Sequence, residues 1–347
     1  MRSVALVLTL CAVPSLAAQN PAHYRITHTF VVGGDGRWDY VIPDPPRQRV
    51  FIARQDRVMV VDARDGKLLG EVAGIHGAHG VALVEAAHHG FATSGNDSAV
   101  VMFDPSTFQV LGRIPAAEDA DAIVYDAVSN RVFTFNGDAH SSTVVDPGPG
   151  RLVTNIPLGG KPESGVAAGN GKLYVNIVDN AEVVEIDGKS LTVTRRWSTA
   201  PCQQPVAMAI DTMHHRLFSG CRSGGGGGLL AVSDYQAGRV VATAPIGAGV
   251  DGAAFDPAAS DVFASNADGT LTVVHEDSPD QFHVVENVQT APGGRNMGLD
   301  PTTHRVYVVS ARFGPAPADS TAANPRRRPP IIPGSFMMMV VEPIPPR

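Results

Sequence analysis

The sequence predicts an all-β protein folded as a seven-bladed β-propeller, and one repeating pattern carries most of that prediction. Each copy is an apolar strand with an aromatic residue, a polar turn, and a Val-rich strand that usually ends in Asp. The steps between successive aromatic residues are 40, 42, 41, 44, 45 and 44 residues. A period of about 40–45 residues with several short strands per repeat is typical of propeller blades. The aromatic residues, which we expect to pack in the core between neighbouring blades, are Phe51, Phe91, Phe133, Tyr174, Phe218, Phe263 and Tyr307.

The third repeat shows how four strands fit into one blade. Apolar segments at 121–126, 131–136, 143–146 and 152–156 are separated by polar or Gly/Pro-rich segments. Turns of that composition join antiparallel strands. Each blade is therefore predicted to be a four-stranded antiparallel sheet.

The last repeat lacks an outer strand, since it contains only the segments 297–300, 305–310 and 336–341. Segment 26–32 leads into the first blade as an outer strand leads into each later blade. We therefore expect the N-terminal strand to join the C-terminal blade. This closes the ring and removes two exposed sheet edges.

The N-terminus has the features of a secretory signal. Arg2 precedes an apolar core, 4–13, that is too short to span a bilayer, and Ser15-Leu16-Ala17 fits a cleavage site. We expect residues 1–17 to be the signal peptide and residues 18–347 to be one propeller domain. No later stretch has the length and apolar character of a membrane span. With the signal peptide, this places the expected mature chain in the periplasm or the extracellular medium. We expect it to be a monomer.

Composition narrows the class of partner. The formal net charge is −7, with 27 Lys and Arg against 34 Asp and Glu. Nucleic-acid binding usually depends on a Lys/Arg-rich surface, so the charge argues against it. The partner is expected to be a protein or a small molecule.

Two cysteines remain after the predicted signal is removed, Cys202 and Cys221. They lie in the fifth repeat, before its first strand and at the end of its second, and both places are on the same face of a blade. An oxidising compartment favours a disulfide between them. The alternative is two unpaired small apolar side chains.

A long insertion separates the second and third strands of the last blade. Residues 311–335 are rich in proline and contain the run Arg326-Arg327-Arg328. Proline favours extended backbone without ladder hydrogen bonds, so we expect an irregular arm over one face. The arm is either a solvated loop or a contact for an anionic partner.

The repeats place one residue of each blade at the start of its innermost strand, which lines the central channel. We expect these side chains, with their neighbours Trp38, Gln204 and Asn296, to surround the channel mouth as a binding site. In the fourth repeat, which is one residue shorter, the position is eleven residues before the aromatic residue, and elsewhere it is twelve. The ring positions are Asp39, His79, Asp121, Glu163, Val206, Asp251 and Arg295.

Clustered carboxylates repel one another or recruit a cation. Asp121, Glu163 and Asp251 are therefore candidate ligands for Ca²⁺ or Mg²⁺, since both ions prefer oxygen ligands. His79 is a candidate base, and His76 lies three residues before it. A hydrated channel end without a specific ligand remains the alternative. Further histidines fall in turns on the opposite face and are expected at the surface: His88, His89, His214, His215 and His304.

The repeats resemble the YVTN-type propeller repeat, and the chain is similar to the YncE-like family of exported bacterial proteins. The resemblance rests on the segments 173–176 (Leu-Tyr-Val-Asn), 182–187, 130–133 and 159–162 (Gly-Gly-Lys-Pro). It implies a seven-bladed propeller in the cell envelope and transfers no catalytic residue.

Two hypotheses of function follow. The first is an exported, non-enzymatic binding or interaction module whose ligand or partner contacts the acidic channel mouth. The second is a propeller-type hydrolase or lactonase that depends on Ca²⁺ or Mg²⁺.

Overall fold

The fold is described by a computed structural model, which covers residues 23–222, 227–315 and 329–345. Within these ranges, seven four-stranded antiparallel sheets form a ring, and the seven-bladed propeller is confirmed. The innermost strands contact each other in sequence around a central channel. The predicted signal peptide and the Arg326-Arg327-Arg328 run lie outside the described residues.

The first strand along the chain belongs to the last blade, and the next twelve form blades one to three. The strands are β1 (Tyr24–Val31), β2 (Val41–Asp44), β3 (Arg49–Arg54), β4 (Arg57–Asp62), β5 (Leu68–Ala73), β6 (Ala78–Val84), β7 (His89–Ser94), β8 (Ala99–Phe103), β9 (Val110–Pro115), β10 (Ala120–Asp126), β11 (Arg131–Asn136), β12 (Ser141–Asp146) and β13 (Arg151–Pro157). One-turn 3-10 helices occur at Pro45–Arg47, Glu85–Ala87 and Gly95–Asp97.

Blades four to six follow in the same order, and three strands remain for blade seven. The strands are β14 (Pro162–Ala167), β15 (Lys172–Ile177), β16 (Glu182–Asp187), β17 (Thr192–Ser198), β18 (Pro205–Asp211), β19 (Arg216–Cys221), β20 (Gly228–Asp234), β21 (Arg239–Ile246), β22 (Val250–Asp256), β23 (Asp261–Asn266), β24 (Thr270–Ser278), β25 (Gln281–Gln289), β26 (Asn296–Asp300), β27 (Arg305–Ser310) and β28 (Met337–Pro343).

The ring closes where the sequence predicts. Strand β1 pairs antiparallel with β28, from Tyr24 opposite Pro343 to Val31 opposite Met337, and blade seven has the order β1-β28-β27-β26. The outer edge of β28 is therefore paired with β1, and the last blade has its fourth strand.

Strand boundaries in the third blade follow the predicted pattern closely. Strand β11 begins and ends as expected, whereas β12 begins at Ser141, two residues early. The Asn136 amide explains the extension, because Nδ2 donates to Ser141 Oγ at 3.1 Å and to Thr143 Oγ1 at 2.9 Å. These bonds hold the start of the hairpin together before its Val-rich part begins.

The repeated aromatic residues form the contacts between blades. All seven are at most 2 % exposed, as predicted for core positions. Phe218 of blade five, for example, packs on Phe255 and Phe282 of blade six, with ring centroids 5.4 and 5.8 Å apart. Aromatic contacts of this kind add to the free energy gained by burying the rings.

We call the face at which the innermost strands begin the upper face, and the face at which they end the lower face. The predicted disulfide lies toward the upper face of blade five. Cys202 and Cys221 are bonded, with their Cα atoms 5.7 Å apart, and both are fully buried. The alternative of two unpaired side chains is therefore excluded.

The base of the long arm lies on the upper face. Phe313 and Ile331 form an antiparallel bridge, which is extended when the Gly314 N–H donates to the Pro330 carbonyl at 2.8 Å. The two ends of the 311–335 insertion thus pair with each other before the strands of blade seven resume. In the described residues, no helix combines the length and apolar character needed to cross a bilayer.

Candidate functional site at the channel mouth

The start of the innermost strands brings the predicted ring residues to one end of the channel. Five blades place the residue at the second position of the strand, and blades one and seven place it just before the strand. The strand positions are His79 in β6, Asp121 in β10, Glu163 in β14, Val206 in β18 and Asp251 in β22, with Asp39 before β2 and Arg295 before β26.

One side of the mouth is acidic and centres on a histidine. His79 Nδ1 is 2.7 Å from Asp39 Oδ2 and 3.5 Å from Asp121 Oδ1. These side chains come from blades one, two and three, and they are 19–30 % exposed. The contact therefore links three consecutive blades at a position that solvent or a ligand can reach.

The protonation states of this acidic side are shifted by the neighbouring charges. Burial opposes the charged form of His79, but the bond to Asp39 and the charge of Asp121 outweigh it and raise its pKa to about 9. Burial, followed by the charge of Asp39, raises the pKa of Asp121 well above its usual value. Burial also raises the pKa of Glu163. His79 therefore keeps at neutral pH a proton that a separate imidazole would mostly release.

The other side of the mouth is basic. Arg295 Nε is 3.0 Å from Asp251 Oδ2, and Arg222 forms an ion pair with the other oxygen of the same carboxylate. Arg222 Nε also donates to the Val250 carbonyl at 3.0 Å, which fixes the guanidinium beside the start of β22. Asp251 is consequently held by two cations.

Asn296 connects the two sides. Its Nδ2 atom is 3.1 Å from Asp39 Oδ1 and 3.5 Å from Asp251 Oδ2, and the residue is only 2 % exposed. A continuous polar network therefore runs from Asp121 around to the arginines. Asn296 is one of the neighbours that the sequence placed at the mouth, and the structure brings it there.

The candidate metal ligands are distributed differently from the predicted set. The ligand atoms of Asp39, His79 and Asp121 all lie within 4.8 Å of one another. Asp251 is engaged by two arginines on the far side of Asn296. A cation at the mouth would therefore be held by Asp39, His79 and Asp121, and binding of Ca²⁺ or Mg²⁺ stays a prediction.

Tyr40 lies beneath the acidic side. It belongs to blade one, yet its side chain packs against the apolar cluster of blades three and four that contains Ala122 and Leu173. Burial raises the pKa of the Tyr40 phenol, and the charges of Asp121, Asp39 and Glu163 raise it further. The phenol thus reaches from blade one to apolar residues of blades three and four, close to the carboxylates of the acidic side.

A cavity of about 680 Å³ opens beside the basic side and beneath the base of the arm. Trp38 forms an aromatic wall, with its ring 6.2 Å from that of Phe313 and 5.3 Å from that of Phe336. The cavity is lined by Arg37, Trp38, Arg222, Gly249, Ala267, Pro292, Gly293, Arg295, Phe313, Pro329, Pro330 and Ile331.

Gly293 allows the arm to approach the cavity closely. Its φ is +79°, and a Cβ atom there would lie 2.9 Å from the Phe313 ring. A side chain at this position would therefore be strained and would displace Phe313.

The loop that carries Arg37, Trp38 and Asp39 is held in place by Arg54. This side chain is fully buried, and it donates to carbonyls of residues 33–37 at 2.9–3.3 Å. Its guanidinium also lies 3.7 Å from the centre of the Phe336 ring. Burial, and then the charge of Arg57, lowers the pKa of Arg54 to about 10. Arg54 thus positions one wall of the site without lining it.

Two further predicted neighbours have other contacts. The Gln204 carbonyl accepts the Arg222 N–H at 3.2 Å, so its backbone positions the basic side. His76 Nδ1 contacts Asp97 Oδ1 at 3.0 Å and the side chain is 65 % exposed, away from the His79 cluster.

Sequence reasoning missed Arg37, Arg222, Phe313 and Arg54. At none of these positions do the other blades carry the same residue type, so aligning the blades gives no signal for them. The proximity of Arg37 to Trp38, and of Phe313 to the start of the arm, was the only clue in the sequence.

Comparison with known proteins supports the fold and no more. The sequence matches no family profile and no curated protein. Among solved structures, it is similar to U3-55K, with a TM-score of 0.72 and 10 % identity over 94 % of this chain and 100 % of that one. It is also similar to Kuenenia stuttgartiensis hydrazine synthase, with a TM-score of 0.65 and 15 % identity over 78 % of this chain and 91 % of the other. At such identities the likeness shows the propeller fold alone.

Proposed function

We propose that this protein is a non-enzymatic binding module whose channel mouth takes a small anionic molecule with a flat apolar part. The observation that carries the proposal is the cavity of about 680 Å³ that three arginines and two aromatic rings line together. Cavities of roughly 300–1,000 Å³ with apolar walls and a few placed polar groups are usual for small ligands.

The charges of the cavity favour an anion. Arg222 and Arg295 both contact the carboxylate of Asp251, and Arg37 adds a third guanidinium on the exposed loop. Among the described residues that line the cavity, three are arginines and none is acidic. Guanidinium groups present a planar fork of donors that matches carboxylate and phosphate oxygens.

The rest of the mouth limits the ligand further. Trp38 and Phe313 offer apolar faces for a ring or another flat group. Beyond Asn296, the Asp39 carboxylate and its neighbours offer hydrogen-bond acceptors, which suit a hydroxyl or an amine on the far end of the ligand. A small molecule with an anionic end and a donor end would contact both sides.

The test uses the anionic aromatic dye 8-anilinonaphthalene-1-sulfonate as a probe. The sequence has two tryptophans, so in a Trp197→Phe background the fluorescence of Trp38 reports on this site. Arg37→Gln and Arg295→Gln should each weaken dye binding about 10-fold, the effect of losing one charge-assisted hydrogen bond. Arg151→Gln on the exposed outer strand β13 removes the same charge as a control. Equal affinity in all variants would contradict an anion site at the mouth.

A second candidate is a metal-dependent hydrolase or lactonase, and the convergence of Asp39, His79 and Asp121 favours it. In that case these residues would hold Ca²⁺ or Mg²⁺, which would activate water. Elemental analysis and thermal shift assays with EDTA and added Ca²⁺ distinguish the two functions. Metal-dependent hydrolysis of a lactone that Asp121→Asn abolishes would support the hydrolase, whereas absence of bound metal and of any thermal shift would count against it.

We also propose that the chain is a YncE-like exported protein, cleaved after residue 17 into a single monomeric domain. The disulfide between Cys202 and Cys221 supports an oxidising compartment. N-terminal sequencing of the mature protein from the periplasm or the medium tests this, with Ala18 as the expected first residue.

A further inference from the structure

A second group of metal-ligating side chains lies on the lower face, at the far end of the blades from the channel mouth. Asp211 is the last residue of β18, His214 is in the turn that follows, and Glu276 is near the end of β24. Their ligand atoms lie within 4.8 Å of one another. His214 occupies the predicted surface turn, but it contacts two carboxylates that are almost fully buried.

An unusually long hairpin brings Glu276 to this place. Strand β24 has nine residues, whereas the corresponding strands β4, β12 and β16 have six. The tip of the hairpin contacts blade five, where Arg216 Nε donates to the Pro279 carbonyl at 2.5 Å and Nη2 contacts Asp280 Oδ1 at 2.9 Å. The extension therefore places Glu276 against the turn between β18 and β19.

The sequence of blade six also departs from the repeat at this end. In blades four and five a basic residue at the start of the second strand faces an Asp at the end of the third, as Lys172 faces Asp187 and Arg216 faces Asp234. In blade six the order is reversed, with Asp261 opposite His275. The third strand continues beyond His275, so Glu276 has no counterpart in those blades.

The side chains of Asp211, His214 and Glu276 direct their ligand atoms toward one another. His214 Nδ1 is 2.8 Å from Asp211 Oδ2 and 3.0 Å from Glu276 Oε1, yet it is aligned for a hydrogen bond with neither. Glu276 is 5 % exposed; its Oε1 lies 3.0 Å from His214 Nδ1, and among the described residues its Oε2 has no hydrogen-bond partner. A buried carboxylate with only one donor beside it is costly, so a bound cation would stabilise it.

Asp211 is held ready for a ligand role. Its Oδ1 accepts the Met213 N–H at 2.8 Å, and its Oδ2 accepts the His214 N–H at 3.1 Å. These bonds fix the carboxylate and leave a lone pair on Oδ2 directed to the group.

A histidine–aspartate pair between blades six and seven provides an internal comparison. His304 Nδ1 is 2.7 Å from Asp256 Oδ2 in a well-aligned hydrogen bond on the same face. That pair has no third ligand among the described residues, and it is satisfied by the histidine proton. The poorly aligned contacts of His214 therefore occur where Glu276 adds a second carboxylate.

We propose that Asp211, His214 and Glu276 bind a divalent transition-metal ion of the Zn²⁺ class. Zn²⁺ binds imidazole nitrogen and carboxylate oxygen at about 2.0–2.2 Å, so the ligand atoms of one ion lie roughly 3–3.5 Å apart. Here His214 Nδ1 lies 2.8 and 3.0 Å from the two carboxylate oxygens, and all three ligand atoms are within 4.8 Å of one another. The His214 side chain is 38 % exposed, which leaves the ion a path from solvent and room for water ligands. The ion would join the hairpin of blade six to the turn of blade five.

The test measures Zn²⁺ binding to the mature chain after dialysis against a chelator. We expect one Zn²⁺ per chain and a rise in the melting temperature of about 5 °C at saturating Zn²⁺. Glu276→Gln keeps the shape of the side chain but removes its charge, and it should weaken binding more than about 10-fold. His304→Asn removes the comparison histidine and should leave Zn²⁺ affinity unchanged.

Co²⁺ provides a second readout that needs no variant. Binding to a nitrogen and two carboxylates should give visible absorption bands in the wild-type protein, and Zn²⁺ should displace them. Absence of these bands together with less than one bound Zn²⁺ would overturn the proposal. Equal Zn²⁺ affinity in wild type and Glu276→Gln would overturn it too, since Glu276 is the ligand that makes this site different from the Asp256–His304 pair.

Discussion

His79 and Asp39 belong to neighbouring blades, and His79 Nδ1 lies 2.7 Å from Asp39 Oδ2 at the channel mouth. Asp121 of the third blade approaches the same nitrogen at 3.5 Å. Burial alone would disfavour the imidazolium, but these acids raise the pKa of His79 to about 9. A proton therefore takes part in holding three blades together at the site where we propose that a ligand binds.

We predict that the stability contributed by His79 falls as the pH rises from about 6.5 to about 9. The pKa of an unfolded histidine is about 6.5, and the folded value is higher, so the native state holds the proton more tightly. The contribution is complete below the unfolded pKa and is lost above the folded one. It amounts to at most about 3 kcal/mol. Urea unfolding across this range, with chelator present, measures it.

The variant His79→Gln isolates this contribution. Asp121 and Glu163, whose pKa values are also raised, remain in both proteins. The variant should be less stable than wild type near pH 6 and should approach it near pH 9.5. His76→Gln, whose ring contacts Asp97 at the surface, controls for loss of a histidine on the same face. A stability difference between His79→Gln and wild type that does not change with pH would contradict the prediction.

Arg54→Met should destabilise the protein strongly, by about 3 kcal/mol or more. The methionine fills similar space but leaves several buried carbonyls of the loop 33–37 without their donor. The Trp38 emission should shift as well, because the same loop carries Trp38. Chemical unfolding followed by tryptophan fluorescence measures both effects.

Arg57→Met is the matched control for Arg54→Met. Arg57 begins the next strand and pairs with the exposed Asp56 and Glu71. It donates to one carbonyl of the loop, that of Asp35 at 3.2 Å, whereas Arg54 donates to five. Loss of surface ion pairs of this kind typically costs about 0.2–1 kcal/mol. Similar losses in the two variants would mean that Arg54 does not organise the loop.

The part of the site that repeats could be predicted, and the part that does not repeat could not. Asp39, His79, Asp121, Glu163 and Asp251 share one position in the blade, so their alignment follows from the period. The same period predicted the burial of the aromatic residues, because every blade must pack on the next. Whether a ligand binds at the ring depends on the side chains that individual blades place there. The repeat pattern does not predict this.

The residues that the sequence analysis missed make their contacts with a neighbouring blade. Arg222 follows the end of β19 and reaches the start of β22 in the next blade, so its partner Asp251 is 29 residues away. Glu276 meets His214 only because the β24–β25 hairpin is longer than the others. Such contacts depend on how neighbouring blades are oriented, which the sequence of one blade does not specify.

Removing the disulfide by the double substitution Cys202→Ala and Cys221→Ala should lower the free energy of unfolding by about 3 kcal/mol. The bond closes a loop with a sequence separation of 19 residues, and the chain-entropy estimate for a loop of that size is ~3 kcal/mol. Dithiothreitol should lower the stability of wild type by a similar amount and leave the double variant unchanged. An effect of dithiothreitol on the double variant would show that the reagent acts elsewhere.

The last prediction concerns the strand that closes the ring. A chain that begins at Gly33 lacks β1, so β28 becomes an exposed edge whose N–H and C=O groups can pair with another molecule. We expect this truncated protein to form oligomers on size-exclusion chromatography and to unfold at lower urea concentration. A synthetic peptide spanning residues 23–32, added in excess, should restore the monomer by occupying the edge.

Tyr24→Phe separates the strand from its side-chain contact. The Tyr24 hydroxyl donates to Asp261 Oδ2 at 2.6 Å, which ties β1 to blade six. The variant keeps the strand pairing and loses one charge-assisted hydrogen bond, so it should remain monomeric and lose about 1.5–3 kcal/mol. If the chain that begins at Gly33 were monomeric and as stable as wild type, pairing of β1 with β28 would not be what keeps the propeller closed. The peptide should then have no effect either, because no edge would be free to receive it.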